Sequence, residues 1–185
     1  MQRLVHIILL FTLFNLTACQ TLEPKPLPAG LQLGDKYYTQ VTMQYEKGKY
    51  RTTNYRRGLL LTVNTEVELL EVTSKSIRLK LIQAEQELLI VNVIKHTGDS
   101  VYQAFDKLLA KTKVNLSRFS ALEQKNIAKG SVAKGMSKSA VKVAIGYPPI
   151  TKTPSLDGDK WTYWSNRFNR FIVHFAKDKV TQVQD

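Results

Sequence analysis

The chain has a single cysteine, Cys19, so no disulfide can form within it. It has three histidines, and no pair of them stands at metal-ligand spacing. No glycine-rich phosphate loop occurs, and no serine sits in a G-x-S-x-G turn that would present a nucleophile. Long apolar runs are missing too. Leu4 to Phe14 is eleven residues, broken by His6 and Thr12, whereas a helix needs about 20 to cross the hydrocarbon of a bilayer. Acidic side chains are few: 15, against 27 Lys and Arg, for a formal charge of +12. That surplus favours anionic partners, whether nucleic acid, phospholipid headgroups or acidic proteins. At 185 residues and 43% hydrophobic, the chain suffices for one ordinary core or two small ones.

What is present begins with an address. Met1-Gln2-Arg3 is a short basic start, and Leu4 to Phe14 suits the apolar core of a secretory signal. Leu16-Thr17-Ala18-Cys19 then resembles the lipobox of bacterial lipoproteins, with small residues ahead of the cysteine. The resemblance implies cleavage after residue 18 and acylation of Cys19, the covalent lipid being the only attached group expected and no cofactor being required. Two or more acyl chains anchor stably where one does not. Gln20 follows the cysteine. By analogy with lipoprotein sorting in enteric bacteria, the lack of Asp there directs the chain to the outer membrane, facing the periplasm. Only Arg3 is charged in the first eighteen residues, so the remainder keeps +11. Export removes nucleic acid from the list of partners.

Residues 19–36 carry Pro24, Pro26 and Pro28 with few apolar side chains, a spacing that favours an extended tether. Residues 37–97 form a strand-rich region, in which the apolar period is two from Tyr37 to Ile94. Val67 and Leu69 alternate with Glu66 and Glu68, and Ile77, Leu79 and Leu81 with Arg78 and Lys80. The phase slips at Leu69-Leu70, which predicts a bulge. Leu88 to Val91 reads as a central strand, and further strands are expected at Tyr38–Met43 and Lys49–Thr53, joined across Lys47-Gly48. Five or six short strands with tight links point to a small barrel or sandwich of SH3-like kind.

From 98 to 115 the period lengthens. Val101, Phe105, Leu108 and Leu109 form one helical stripe behind a cap at Asp99 or Ser100, a connecting helix. Ser120 to Glu123 is a capping-box pattern for a helix ending before Gly130. A further helix runs from Ser137 to Ile145, with Met136 and Val141 as a hydrophobic staple and Gly146 as a left-handed stop ahead of Pro148. Strands return at Trp161 to Trp164, at Phe171 to Phe175 with Phe171, Val173 and Phe175 alternating against Ile172 and His174, and at Val180 to Val183.

The string Gly135-Met136-Ser137-Lys138, Val141, Ile145, Gly146, Pro148, followed by Trp161 and Tyr163, then Val173 and Phe175, resembles the BamE (SmpA/OmlA) family of outer-membrane assembly lipoproteins. It covers roughly Leu116 to Val183, within a candidate domain of residues 116–185. The resemblance implies an α+β domain of two helices on a three-stranded antiparallel sheet. It also implies a non-enzymatic scaffold or assembly accessory whose partners are envelope or outer-membrane proteins, with anionic phospholipid as a further contact. The strand-rich region of residues 37–97 departs from the family pattern. An alternative stays open in which that region is an envelope ligand-binding module for peptidoglycan or anionic lipid.

Catalysis finds little support in the residues. His96 reads as part of a strand-to-helix turn with Asp99 a cap, His174 as a strand-face residue, and Asp157-Gly158-Asp159 as a turn. Positive charge has the better functional claim. Arg51, Arg56 and Arg57 interleave with Tyr50 and Tyr55 beside Lys47 and Lys49, while Lys138 and Lys142 share one helix; these are expected to meet an anionic surface. Trp161 and Trp164 fall on opposite strand faces, so one is expected in the core and the other outside.

Overall fold

The computed structural model of the protein describes residues 27, 28 and 30–185. The signal segment, the lipobox with Cys19, and Pro24 and Pro26 of the tether lie outside the described residues. Among the described residues the chain is strand-rich α+β with four α-helices.

The first half builds β1 (Lys36–Thr39), β2 (Met43–Tyr45), β3 (Lys49–Arg51), β4 (Leu59–Leu61), β5 (Glu66–Val72), β6 (Ser76–Leu81) and β7 (Gln86–Val91). There follow α1 (Ile94–Thr97), α2 (Val101–Leu108) and β8 (Leu109–Ala110). A six-stranded sheet runs in the order β3-β7-β6-β5-β1-β8, and β2 pairs separately with β4. All ladders are antiparallel except β3 beside β7. The alternation of Ile77, Leu79 and Leu81 with Arg78 and Lys80 puts the first three into the core and leaves the cations outside. The register shifts between Leu69 and Glu71, where the apolar phase slips. Lys47 and Gly48 both take positive φ, at 51° and 68°, the geometry of the tight hairpin that joins β2 to β3.

Four expectations need correction. Tyr38–Met43 is not one strand: β1 ends at Thr39 and β2 begins at Met43, in different sheets. The break is held by buried threonine hydroxyls, Thr39 donating to the Thr62 carbonyl (2.8 Å) and Thr42 to that of Ile127 (2.9 Å). Leu109 leaves the helix to begin β8, whose pairing with β1 places it in the sheet. Ser100 caps α2 with a full capping box, while Asp99 is instead the ion-pair partner of Lys107 at 2.7 Å. The extended run stops short of residue 36, because Leu31 donates to the Pro28 carbonyl at 3.1 Å and packs half-buried on the first core.

A short 3-10 turn (Leu116–Arg118) leads into α3 (Ala121–Lys129) and α4 (Lys138–Ile145). After them come β9 (Lys160–Trp164), β10 (Arg170–Ala176) and β11 (Lys179–Gln184), an antiparallel sheet in the order β11-β10-β9. Phe171, Val173 and Phe175 point into a second core with Ile127, Val141, Ile145, Trp161 and Tyr163. Ile172 and His174 line the other, half-buried face. The cores interlock. Tyr55 and Val63, from the strand-rich half, sit in the second, and the Thr42 amide donates to the Val143 carbonyl at 2.9 Å. No helix of the described residues is long and apolar enough to cross a membrane.

Candidate functional site

The motif residues around α4 build the second core and its corners. Ser137 caps α4 by accepting from the Ala140 amide, and Met136 and Val141, flanking the cap, are both fully buried as a staple requires. Gly146 ends the helix at φ 84°, ψ −168°, not in the left-handed helical region expected of it. That corner of the map is essentially open to glycine alone. A Cβ there would meet nothing nearer than 3.8 Å, so the cost of a side chain is conformational. Gly146→Val should therefore lower the unfolding free energy by about 1–3 kcal/mol, read as a lower denaturant midpoint at unchanged slope. An unaltered midpoint would contradict this backbone assignment.

The Gly146 carbonyl accepts from the Tyr163 hydroxyl at 3.2 Å, and the Tyr147 carbonyl from that of Tyr55 at 2.9 Å. Tyr55 and Tyr163 meet edge to face at 4.9 Å, Tyr163 stacks on Phe171 at 5.2 Å, and the Arg56 guanidinium lies 3.6 Å from the centre of the Phe171 ring. Burial pushes the Tyr55 and Tyr163 hydroxyls well above the ordinary tyrosine range. Both stay neutral, as hydrogen-bond donors in a core must. Pro148 is buried beyond the corner, and the Trp161 indole donates to the Leu156 carbonyl at 3.2 Å.

Of the five basic residues expected at an anionic surface, Arg56, Arg57 and Lys138 have polar partners within the chain. Arg56 pairs with Asp185 and Arg57 with Glu46. Lys138 donates to the Asp157 carbonyl at 2.8 Å, 5.4 Å from the Phe175 ring, so it fastens the loop before β9. Lys142 lies half-buried on α4, 5.8 Å from the Tyr147 ring. Arg51, by contrast, is exposed and has no carboxylate partner among the described residues.

Arg51 opens onto a cleft of about 640 Å³ between the halves of the chain. Edge strand β3 supplies Lys49 and Arg51, the loop after it supplies Arg57, α1 supplies His96, the end of β9 supplies Trp164, and the β9–β10 loop supplies Arg167. Tyr50, buried between Lys49 and Arg51, turns both cations outward by the two-residue period of the strand. Trp164 is the outward member of the tryptophan pair, half-buried, with the Arg170 guanidinium 4.9 Å from its ring centre.

Neither histidine bonds a serine or carboxylate among the described residues. His96 meets the Thr151 hydroxyl at 2.9 Å, and His174 the Gln184 side-chain oxygen at 3.0 Å. Among the described residues no three His, Cys, Asp or Glu side chains converge as metal ligands would. The joining of Arg51 to Arg167 and His96 escaped the sequence reading, since the three lie on separate segments brought together only by the interlocked cores. The one sequence signal available was Arg167-Phe168-Asn169-Arg170, a basic and aromatic loop directly after Trp164. No protein-family model, curated protein or solved structure matches the chain.

Proposed function

We propose that the protein is a non-enzymatic lipoprotein, anchored by acylated Cys19 to the periplasmic face of the outer membrane, that serves as a scaffold or assembly accessory for envelope proteins. The lipobox Leu16-Thr17-Ala18-Cys19, holding the only cysteine of the chain, carries this reading. The second half supports its likeness to the BamE family. Met136, Val141, Ile145, Trp161 and Tyr163, drawn from the shared string, pack together in one core beneath three antiparallel strands. The short strands and tight links of the first half support an SH3-like region ahead of it.

A Cys19→Ser chain should remain unprocessed and take up no labelled palmitate, whereas the unaltered chain takes it up; equal labelling of both would remove the anchor from the reading. Crosslinking the intact lipoprotein in its own membrane then tests the scaffold role. Recovery of outer-membrane assembly proteins supports it. Retention on peptidoglycan sacculi without such proteins replaces it with the ligand-binding alternative.

A further inference from the structure

The cleft between the two halves gathers more cations than carboxylates. Its walls hold four cations, Lys49, Arg51, Arg57 and Arg167, against one carboxylate, Glu46. Glu46 is already neutralised by Arg57 at 3.2 Å. Lys49, Arg51 and Arg167 have no carboxylate partner among the described residues. Gathering three such cations costs mutual repulsion that a solvated face would relieve by spreading them apart.

The frame that holds them is fixed by hydrogen bonds. Asn54 donates to the Gln44 carbonyl (2.6 Å) and the Arg57 carbonyl (2.8 Å), and accepts from the Arg57 amide (3.1 Å). On the opposite wall the Asn166 side-chain oxygen accepts from the Phe168 and Asn169 amides at 2.8 and 2.9 Å, and the Ser165 amide donates to the Asn169 carbonyl at 2.9 Å. His96 is tied on both sides, its carbonyl accepting from the Ile150 amide at 2.8 Å and its ring meeting Thr151. The Asn166 side-chain nitrogen and the Ser165 hydroxyl have no hydrogen-bond partner among the described residues, and the Trp164 indole is half-buried.

We propose that this cleft binds a phosphomonoester carried on a sugar, with Arg51 and Arg167 gripping the phosphate from opposite walls and Trp164 meeting the apolar face of the ring. A phosphomonoester brings about −1.5 to −2 charges near neutral pH, which matches several unpaired cations where a lone carboxylate matches one. Guanidinium groups hold phosphate through paired, charge-assisted bonds. Free hydroxyl and amide groups beside an indole suit a sugar rather than a bare ion.

The proposal does not depend on the state of Cys19, so its failure and that of the envelope reading are separable. Glucose 1-phosphate is titrated calorimetrically into the full chain in neutral detergent micelles, with glucose and glucuronate as comparators. Saturable one-site binding is expected for the phosphate alone, weakened at least tenfold by Arg51→Gln or Arg167→Gln and unchanged by Lys125→Gln on α3. Lipid A dispersed in the same detergent separates two sources of this chemistry: competition assigns a lipid-borne sugar phosphate, and its absence a soluble one. Glucuronate binding as tightly as glucose 1-phosphate overturns the assignment to phosphate. Absent binding, or affinity indifferent to both arginine changes, overturns the site.

Discussion

Glu123→Gln should cost about 3 kcal/mol at neutral pH and flatten the acid limb of the stability curve. Glu123 is the third residue of α3, and its side chain is only 6% exposed. One carboxylate oxygen accepts from the Ser120 amide at 2.9 Å and its hydroxyl at 3.1 Å; the other accepts from the Ser137 amide at 2.7 Å. A single anion therefore holds the cap residues of both α3 and α4. Burial by itself pushes the carboxyl up, but the donors from Ser120 and Ser137 prevail and bring its pKa down from 4.5 to about 2. The folded chain binds this proton less tightly than the unfolded one. The stabilisation is thus complete above pH 4.5 and is lost as pH falls from there to about 2. That difference corresponds to about 3 kcal/mol. Glutamine can still reach back to Ser120 as a capping-box residue, but with one acceptor oxygen and no charge it cannot serve both serines. Lys179, 3.4 Å away and 55% exposed, adds little. At roughly 2–4 °C per kcal/mol for a chain of this size, the melting temperature at pH 7 should drop by about 6–12 °C. Parallel stability curves for the two proteins between pH 2 and 5 would show that Glu123 is not the titrating clamp.

The Ser120–Glu123 half of this clamp is written in the sequence as a capping box; its reach to Ser137, fourteen residues on, is not. The same division runs through the fold. Alternation along β6, the caps of α2, α3 and α4, and the bulge in β5 follow from residues within a few positions of one another, because strand period, cap bonding and phase slip are local effects. What escaped is set by tertiary partners. Thr39 and Thr42 break an apparently continuous strand because their hydroxyls find carbonyls 23 and 85 residues away. Tyr55 follows an alternating stretch of the first half yet belongs to the second core, held by the Tyr147 carbonyl and the Tyr163 ring. The cleft is the extreme case. Lys49, Arg51 and Arg57 were visible singly, but Arg51 shares the cleft with Arg167 only because the interlocked cores bring β3 and the β9–β10 loop to opposite walls.

Strand β4 gave no sequence signal of its own: Leu59, Leu60 and Leu61 form an unpatterned apolar triplet, and only Leu61 is buried. Gly58, just before it, explains how the strand is placed. Its φ is +98°, and a Cβ built there would stand 2.1 Å from the Tyr45 carbonyl oxygen and 2.7 Å from the carbonyl carbon. The obstacle is backbone of β2, the strand paired with β4 through Tyr45 and Leu59, so no rotamer change relieves it. Gly58→Ala should consequently destabilise by about 3 kcal/mol or more, combining the positive-φ penalty of roughly 1–2 kcal/mol with displacement of the β2–β4 pair. Gly135→Ala isolates the first contribution. Its φ is +93°, but the nearest atom to its added Cβ is a leucine methyl at 3.8 Å, so about 1–2 kcal/mol is expected there. Chemical denaturation of the two variants side by side reads the difference directly. Equal losses would mean that β2 yields without cost and that the close approach at Gly58 does not fix the pairing. A clearly larger loss at Gly58 would make this glycine the residue that seats β4, and with it the rigid base of the loop that carries Arg57 to the cleft.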